Sequence, residues 1–315
     1  MQIVQAPRAS AILYNLLKSR ENPKPWLLPA NICPIVPITF FKASVPFEFV
    51  DISAETLNMD LEQVEGRLKR GEYGGALYAH TYGEPSTPVE FFQSIKSKHP
   101  DLLLVDDRCL CIPDLKPPSN TVVDAILYST GYAKVVDLNF GGYAFLNEEV
   151  PYHPQHLPFA PKAYGEIERG YKQAIQKNRP YTYTDSAWLQ TEADLPTWYD
   201  YRQQIEDGLA TSLHRRDALN EIYTARLPTE IQLPQDYQTW RFNIRVKNKE
   251  HILEGIFSAG LFASSHYASL AGIMAPGQCS QAEGLANEIV NLFNNHHFSP
   301  HQAEAVCTLI METLN

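Results

Sequence analysis

The sequence predicts an α/β protein with a mostly parallel sheet that is covered by helices on both faces. Short apolar runs alternate with segments of helical periodicity over the first half of the chain. The run 102–105 is apolar throughout, without the alternation of a half-exposed strand. Such runs are typical of parallel strands that are buried on both faces. The 315 residues are enough for one large domain and a smaller one.

The expected elements of the large domain follow one another as strand and helix. We expect strands at 26–33 (with its loop), 47–50, 75–78, 102–105, 122–127 and 142–146. We expect helices at 7–19, 34–42, 61–69 and 89–96. The segment 151–197 is rich in prolines and aromatic residues, so we expect it to be irregular, as an active-site lid or a subunit contact.

The last third of the chain predicts the smaller domain. We expect a long helix, broken once, at 196–219, a half-buried strand at 240–246, and helices at 250–259, 282–292 and 300–314. Arg241 and Arg245 share one face of that strand, toward either a substrate carboxylate or solvent, and solvent is the more common surrounding. We place the domain boundary so that the large domain is 1–222 and the small domain is 223–315.

The composition opposes several classes of function. A net charge of −10 argues against nucleic acid or an anionic membrane surface as a partner. Five cysteines, with no regular spacing beyond Cys109-x-Cys111, favour a reducing compartment and complete no metal site. No signal peptide is recognisable, and the uncharged segment 255–282 contains too many polar residues for a membrane span. We therefore expect a cytoplasmic protein that uses no metal.

Asp107 and Lys134 are the candidate catalytic residues. Asp106 and Asp107 follow the strand 102–105, and α/β sheets bind ligands outside the carboxyl ends of their strands. Lys134 lies among small and apolar residues, five positions after Ser129, and a partly desolvated lysine amine can attack carbonyl groups. An aspartate for the pyridinium nitrogen and a Schiff-base lysine are what pyridoxal phosphate requires. From these residues alone, a solvated lysine and loop-capping aspartates remain the alternative.

The start of the helix 7–19 is a candidate phosphate site. The backbone N–H groups near Ala9 and the Ser10 hydroxyl lie there, with Arg8 as a charge partner. Free N–H groups and the positive end of the helix dipole suit a phosphate. A simple capping role for Ser10 is the alternative.

These segments together resemble the DegT/StrS family of sugar aminotransferases, which are fold-type I pyridoxal-phosphate enzymes. Ser129-x-x-x-x-Lys134 followed by Gly141–Gly142, with an acidic pair upstream, is similar to the region of the family's cofactor lysine. Other similar segments occur in the family's order along most of the chain, at 28–34, 49–60, 79–85, 265–267, 282–286 and 291–293.

The resemblance implies a three-layer α/β/α large domain and a smaller C-terminal α/β domain. The contacts to pyridoxal phosphate that it implies come from Ala9, Ser10, Cys33, Asp107, Ser129 and Lys134. It selects Asp107 over Asp106 as the residue that faces the cofactor ring. It places His266 and Tyr267 on the substrate side of the site, with a buried structural pair as the alternative.

The function that the resemblance implies is the transfer of an amino group from an amino acid, with glutamate as the expected donor, to a keto sugar or sugar nucleotide. Both substrates are small molecules, and we expect a homodimer with active sites near the subunit interface. A dehydrating pyridoxal-phosphate enzyme normally lacks the lysine, so Lys134 opposes that reaction.

Departures from the family pattern favour a second hypothesis, a non-catalytic relative that keeps the fold as a binding or assembly protein. The family's Asn-Tyr-Arg motif has no clean copy, since the run 178–181 has similar residues in another order. Leu110 stands where glutamine is frequent, and Cys33 where an aromatic residue is frequent. Because Lys134 and Asp107 are retained, the enzyme is the preferred hypothesis.

Overall fold

A seven-stranded sheet forms the larger part of the protein in the computed structural model, which describes residues 1–20, 23–119 and 121–314. The strands are β1 (Gln2–Ala6), β2 (Trp26–Pro29), β3 (Phe47–Val50), β4 (Gly75–Ala79), β5 (Leu103–Asp107), β6 (Ala125–Ser129) and β7 (Gly142–Leu146). Their order across the sheet is β1-β7-β6-β5-β4-β2-β3. Strands β3, β2, β4, β5 and β6 are parallel to one another, and β7 runs antiparallel to both of its neighbours. The carboxyl ends of β2, β4, β5 and β6 therefore meet at one edge, where β7 begins.

Helices cover both faces of this sheet. They are α1 (Ala9–Lys18), α2 (Ile35–Ala43), α3 (Leu61–Leu68), α4 (Val89–Lys98), α5 (Pro161–Gln176) and α6 (Trp198–Arg226). Successive strand residues point to opposite faces. Val105 accordingly lies in the core beneath α1 and α2, while Leu104 lies in the core beneath α3 and α4. The large domain thus has the expected three-layer α/β/α architecture.

A second, antiparallel sheet lies in the C-terminal part of the chain. Its strands are β8 (Phe242–Arg245), β9 (Ala263–Ser264) and β10 (Ile289–Leu292), in the order β8-β10-β9. Helices α7 (Lys249–Ser258), α8 (Ser280–Glu288) and α9 (Pro300–Leu314) accompany it. This sheet and helices α7 and α9 enclose a separate apolar core.

Helix α6 joins the two cores. Ile205, in its N-terminal half, lies in the core of the large sheet, whereas Leu219 and Tyr223 lie in the core of the small sheet. The boundary that the sequence suggested, between residues 222 and 223, falls inside this helix. In the part of the chain that the structure describes, no helix is both long enough and apolar enough to cross a membrane.

Four elements differ from the sequence-based expectation. Strand β1 was not expected, and α5 lies within the segment that was expected to be irregular. Helix α6 is continuous where a break was expected, and Gly208 within it packs against Val136. The expected helix 282–292 ends at Glu288, because its last residues pair with β8 and β9.

The amphipathic pattern of α5 was hidden by its surroundings. Ile167, Tyr171 and Ala174 form its buried stripe at helical spacing. Prolines and aromatic residues before and after the helix obscured this period in the sequence. The Tyr164 ring of α5 lies against Arg8, the residue that precedes α1.

Candidate active site

The carboxyl edge of the large sheet brings together four side chains that the sequence singled out. Asp107 ends β5, Cys33 follows β2, Lys134 lies in the loop after β6, and Tyr267 comes from the loop after β9. All four line one recess of about 30 Å³. A carboxylate, an amine, a thiol and a phenol thus meet where parallel α/β sheets bind ligands.

Asp106 and Asp107 lie on opposite faces of the sheet, as expected for adjacent strand residues. The Asp106 carboxylate accepts hydrogen bonds from His80 Nε2 (2.6 Å), Arg108 Nε (2.9 Å) and Thr87 Oγ1 (3.1 Å). Burial opposes its ionisation, but the His80 and Arg108 contacts hold the pKa of Asp106 below its ordinary value. Asp106 is therefore engaged in a buried structural network.

The Asp107 carboxylate faces the recess. Among the described residues its hydrogen-bond donor is the Cys109 N–H, which lies 3.0 Å from Oδ1. The side chain is 92% buried, since 8% of its surface is exposed. Asp107 thus retains acceptor capacity toward the recess, whereas the oxygens of Asp106 are already used.

The loop that carries Lys134 is held by residues of later elements. Trp240 Nε1 donates to the Ala133 carbonyl at 2.8 Å, and Arg216 Nη2 donates to the Lys134 carbonyl at 3.1 Å. Asp137 Oδ2 accepts from the Ala133 N–H at 2.8 Å, and Ala133 has a left-handed φ of 61°. The backbone at Lys134 is consequently fixed, while its partly buried amine has no carboxylate within 4 Å in the described part of the chain.

The start of α1 lies against the first residue of β7. A Cβ atom on Gly142 would lie 2.4 Å from the Ala9 nitrogen, so only glycine permits this approach. In the sheet, Gly142 pairs with Ser129 on one side and with Ala6 on the other. Ser129 and the amide ends of α1, including Ala9 and Ser10, are therefore brought to the same edge of the sheet.

Arg8 adds a positive charge to this edge. Its Nε is buried and has no hydrogen-bond partner among the described residues, and its guanidinium lies 4.5 Å from the centre of the Tyr164 ring of α5. No side chain caps the first N–H groups of α1. An orphan guanidinium N–H beside free helix N–H groups is suited to a phosphate group.

The donor set therefore fits the chemistry of pyridoxal phosphate. The start of α1 with Arg8 suits its phosphate, Asp107 suits the ring nitrogen, and the Lys134 amine suits the aldehyde. The volume of the recess, however, is smaller than the cofactor ring requires. A recess of about 30 Å³ holds roughly one water molecule. The ring can enter only if side chains that line the recess shift.

Tyr267 and His266 occupy different surroundings. Tyr267 and Cys33 line the recess together. Burial, followed by the proximity of Cys33 and Asp107, raises the pKa of Tyr267. The His266 ring is 4.9 Å from the Tyr267 ring and 5.9 Å from the Trp240 ring, and it retains contact with solvent. Partial loss of hydration, then the charges of Arg241 and Lys134, lower the pKa of His266 to about 4.

Arg241 was expected at the surface, and that expectation is wrong. Its partner on the same strand, Arg245, is exposed and pairs with Glu288 at 2.7 Å. Arg241 itself is 2% exposed, because the rings of Phe293 (4.1 Å) and Trp240 (5.2 Å) cover its guanidinium. Burial lowers the pKa of Arg241 to about 10.

The surroundings of Arg241 do not compensate the cost of its burial. Two cation–π contacts contribute about 0.5–2 kcal/mol each. Burial of an ion costs several kcal/mol. Its hydrogen bond from Nη1 to the Trp240 carbonyl is long, at 3.5 Å, and its Nε has no partner in the described part of the chain.

Arg216 is a residue that the sequence reading missed. It is 2% exposed and donates to the carbonyls of Lys134 and Trp240 and to Asn294 Oδ1. A signal existed, since Arg216 lies on the same helical stripe as Leu219 and Tyr223. It was read as part of the charged, solvated face of α6.

Comparison with known proteins supports the fold but gives no close sequence relative. No protein-family model matches the chain, and no curated protein sequence matches it. Among solved structures, a DegT DnrJ EryC1 StrS aminotransferase from Brucella abortus has a TM-score of 0.69 at 16% identity over 99% of this chain and 86% of that chain. The fold is that of the fold-type I pyridoxal-phosphate aminotransferases.

Two further solved structures have the same fold. The sugar aminotransferase CalS13 from Micromonospora echinospora has a TM-score of 0.71 at 15% identity, over 98% of this chain and 87% of that chain. DesI, analysed in the presence of its TDP-sugar product, has a TM-score of 0.72 at 14% identity, over 98% of this chain and 80% of that chain. This chain is thus similar in fold, over almost its whole length, to a structure that is described as a sugar aminotransferase.

Proposed function

We propose that the protein is a pyridoxal-phosphate-dependent aminotransferase that moves an amino group from an amino acid to a keto sugar or sugar nucleotide. The observation that carries the proposal is the meeting of Asp107 and Lys134 in one recess, at the ligand-binding edge of an aminotransferase fold. Glutamate is the donor that we expect.

Each residue of the site has a role that follows from its position. When bound, pyridoxal phosphate supplies an aldehyde for amines and a protonated ring that withdraws electrons. Asp107 would keep the ring nitrogen protonated. Lys134 Nζ would hold the cofactor at its aldehyde and would serve as the base that moves the proton of the donor α-carbon.

The remaining site residues would bind the cofactor phosphate and exclude water. The amide groups at Ala9, the Ser10 and Ser129 hydroxyls and the Arg8 guanidinium would hold the phosphate. Cys33 and Tyr267, which line the recess beside Lys134, would exclude water from the reacting atoms.

A sugar acceptor is supported by the structural neighbours. CalS13 is a sugar aminotransferase, and DesI was analysed with a TDP-sugar product. His266 is exposed beside the Tyr267 ring and would contact the acceptor, and the Tyr267 ring would offer a flat face to a sugar.

A homodimer with active sites near the subunit interface is part of the proposal. Tyr132 lies two residues before Lys134, and 72% of its side chain is exposed. A large exposed aromatic residue beside a ligand site is typical of a surface that a partner covers. The negative net charge and the free cysteines support a cytoplasmic location.

Covalent labelling tests the function. The protein is mixed with pyridoxal phosphate, reduced with borohydride and digested, and the labelled peptide is mapped by mass spectrometry. We expect the label on Lys134, and we expect none in Lys134→Arg. The matched control Lys116→Arg changes an exposed lysine that does not line the recess and should be labelled like the natural protein. A label on another lysine, or no label, would refute the proposal and favour the non-catalytic relative.

A further inference from the structure

A second cavity, which we call the helix cavity, lies between α6 and the loop of Lys134. Its volume is about 600 Å³, within the range of small-molecule sites. One wall is the loop segment 134–138, and another is the stretch 208–218 of α6. His296, from the loop after β10, also lines it. Of the described residues that line the recess, only Lys134 also lines the helix cavity, so the two are separate spaces.

The charged groups that line the helix cavity are mostly cations without carboxylate partners. Lys134, Arg215 and Arg216 line it, and no carboxylate of the described residues lies within 4 Å of any of them. Asp137 is the single acidic residue of this lining in the described part of the chain, and its carboxylate accepts two N–H groups of its own loop at 2.8 Å and 3.0 Å. Unpaired cations in a cavity create a positive potential that attracts anions. The helix cavity is therefore a cationic site on a chain whose net charge is −10.

Arg215 has donor capacity left for a ligand. Its Nη2 donates to the Phe298 carbonyl at 2.7 Å, whereas its Nε is buried and has no hydrogen-bond partner in the part of the chain that the structure describes. A guanidinium has five N–H donors, so most of the capacity of Arg215 is unused. Arg216, by contrast, already donates from all three of its side-chain nitrogens. Arg216 thus contributes charge to the cavity, and Arg215 is placed to bind an anion directly.

The rest of the lining combines further donors with apolar surface. His214 and His296 are exposed to solvent, and each imidazole can donate a hydrogen bond to an oxygen atom. The buried residues Val135 and Val136 line the cavity on the loop side, and Ala218 lines it on the side of α6. Cations and N–H donors beside apolar residues suit a phosphate ester, because its phosphate group requires donors and its organic part requires apolar surface.

We propose that the helix cavity binds a small phosphate ester, with the phosphate group on the guanidinium of Arg215. The planar guanidinium matches two oxygens of a phosphate group with parallel hydrogen bonds. The site is separate from the phosphate site at the start of α1, because no described residue of α1 lines the helix cavity. Since the segment 134–138 forms one wall, the ligand would brace the loop of Lys134 against α6. Binding at this site goes beyond the aminotransferase function and does not require it.

Calorimetric titration with phenyl phosphate tests the proposal, because this ester has one phosphate group and an apolar ring. The start of α1 is first filled by treatment of the natural protein with pyridoxal phosphate and borohydride. We expect one phenyl phosphate to bind per chain, inorganic phosphate to bind about 10-fold more weakly, and phenol not to bind. Arg215→Gln should weaken the binding of phenyl phosphate by about 10- to 100-fold, the loss of a charge-assisted hydrogen-bonded pair.

Two variants sharpen the test. Arg215→Lys keeps the charge without the planar fork, so we expect an intermediate loss of affinity. Arg226→Gln changes an exposed arginine of the same helix that does not line the cavity, and its affinity should equal that of the natural protein. If Arg215→Gln fails to fold, Arg215→Lys and the comparison with phenol still decide. Absence of binding, an affinity that is insensitive to Arg215, or equal binding of phenol or of inorganic phosphate would overturn the proposal.

The result is informative whether or not Lys134 carries the cofactor. In a protein that takes no label, the start of α1 stays open to phosphate, but binding there would not respond to Arg215. A loss of affinity in Arg215→Gln therefore assigns the helix cavity in either form of the protein. Hydrogen exchange checks the location, since phenyl phosphate should slow amide exchange in the segment 134–138 of the natural protein but not of Arg215→Gln. Unchanged exchange in that segment of the natural protein would also contradict the proposal.

Discussion

Replacement of Arg216 by methionine should destabilise the protein and loosen the loop at Lys134. The guanidinium donates to five acceptors, which are the carbonyls of Lys134 (3.1 Å), Val135 (3.4 Å) and Trp240 (2.6 Å), Asn294 Oδ1 (2.6 Å) and Ser212 Oγ (3.2 Å). Methionine has similar length but no donor. Each buried acceptor that loses its donor lowers the stability by about 1–3 kcal/mol, whereas removal of a buried cation raises it by several kcal/mol. We expect a net loss of about 2–5 kcal/mol in the free energy of unfolding.

Urea denaturation compares this variant with a matched control. Arg215→Met removes the neighbouring arginine, which is partly buried and donates to the Phe298 carbonyl alone among the described residues. We expect its loss to be about 1 kcal/mol. The rate of Lys134 labelling by pyridoxal phosphate is measured at a urea concentration where both variants are folded. Equal stabilities for the two variants, or an unchanged labelling rate in Arg216→Met, would show that Arg216 does not hold the loop.

Three further predictions concern the recess and its surroundings. Asp106→Asn should lower the free energy of unfolding by about 3–5 kcal/mol, because it breaks a buried charge network. Asp107→Asn should abolish transamination while the stability stays nearly unchanged. Denaturation and activity assays of both variants separate the two effects. The pKa of His266 in the folded protein, about 4, lies below its ordinary value of 6.5. The unfolded chain therefore binds the proton more readily than the folded protein does. The natural protein should consequently lose stability as the pH falls from 6.5 to 4. His266→Gln should flatten that part of the pH–stability curve, and an identical curve would contradict the assignment. Gly142→Ala should shift the start of α1, destabilise the protein by about 1–3 kcal/mol and weaken phosphate binding. The control Gly255→Ala adds a Cβ in open space within a helix and should stabilise the protein by about 0.5–1 kcal/mol. Equal melting temperatures for the two variants would refute the close approach at Gly142.

The layered architecture could be predicted because its signals are local. An apolar run such as 102–105 needs no distant partner to be recognised as a buried strand, and the period of α1 and α4 is contained within each helix. The position of Asp107 at a strand end follows from the same run. Strand β1 was not recognised because Gln2–Ala6 pairs with β7, some 140 residues later, and its short sequence shows no strict alternation of polar and apolar residues.

The surroundings of the site could not be predicted, because they depend on contacts between distant segments. Arg241 is buried by Phe293, which follows β10. Arg216 reaches the Lys134 carbonyl from a helix 82 residues later in the chain. Tyr164 reaches Arg8 from α5, in a segment whose period was obscured. A sequence pattern reports which face of an element is apolar, but not which other element will cover a charged residue on it.

The length of α6 has a mechanical consequence. The helix has 29 residues and spans about 43 Å without interruption. One end is embedded in the core of the large sheet and the other in that of the small sheet, and Arg216 joins its middle to the loop of Lys134. A tilt of the small sheet by about 5° would displace the far end of such a rod by roughly 4 Å. We therefore expect a movement of the C-terminal elements, which carry Tyr267, to shift the backbone of Lys134 as well, so that the width of the recess and the position of the amine would change together.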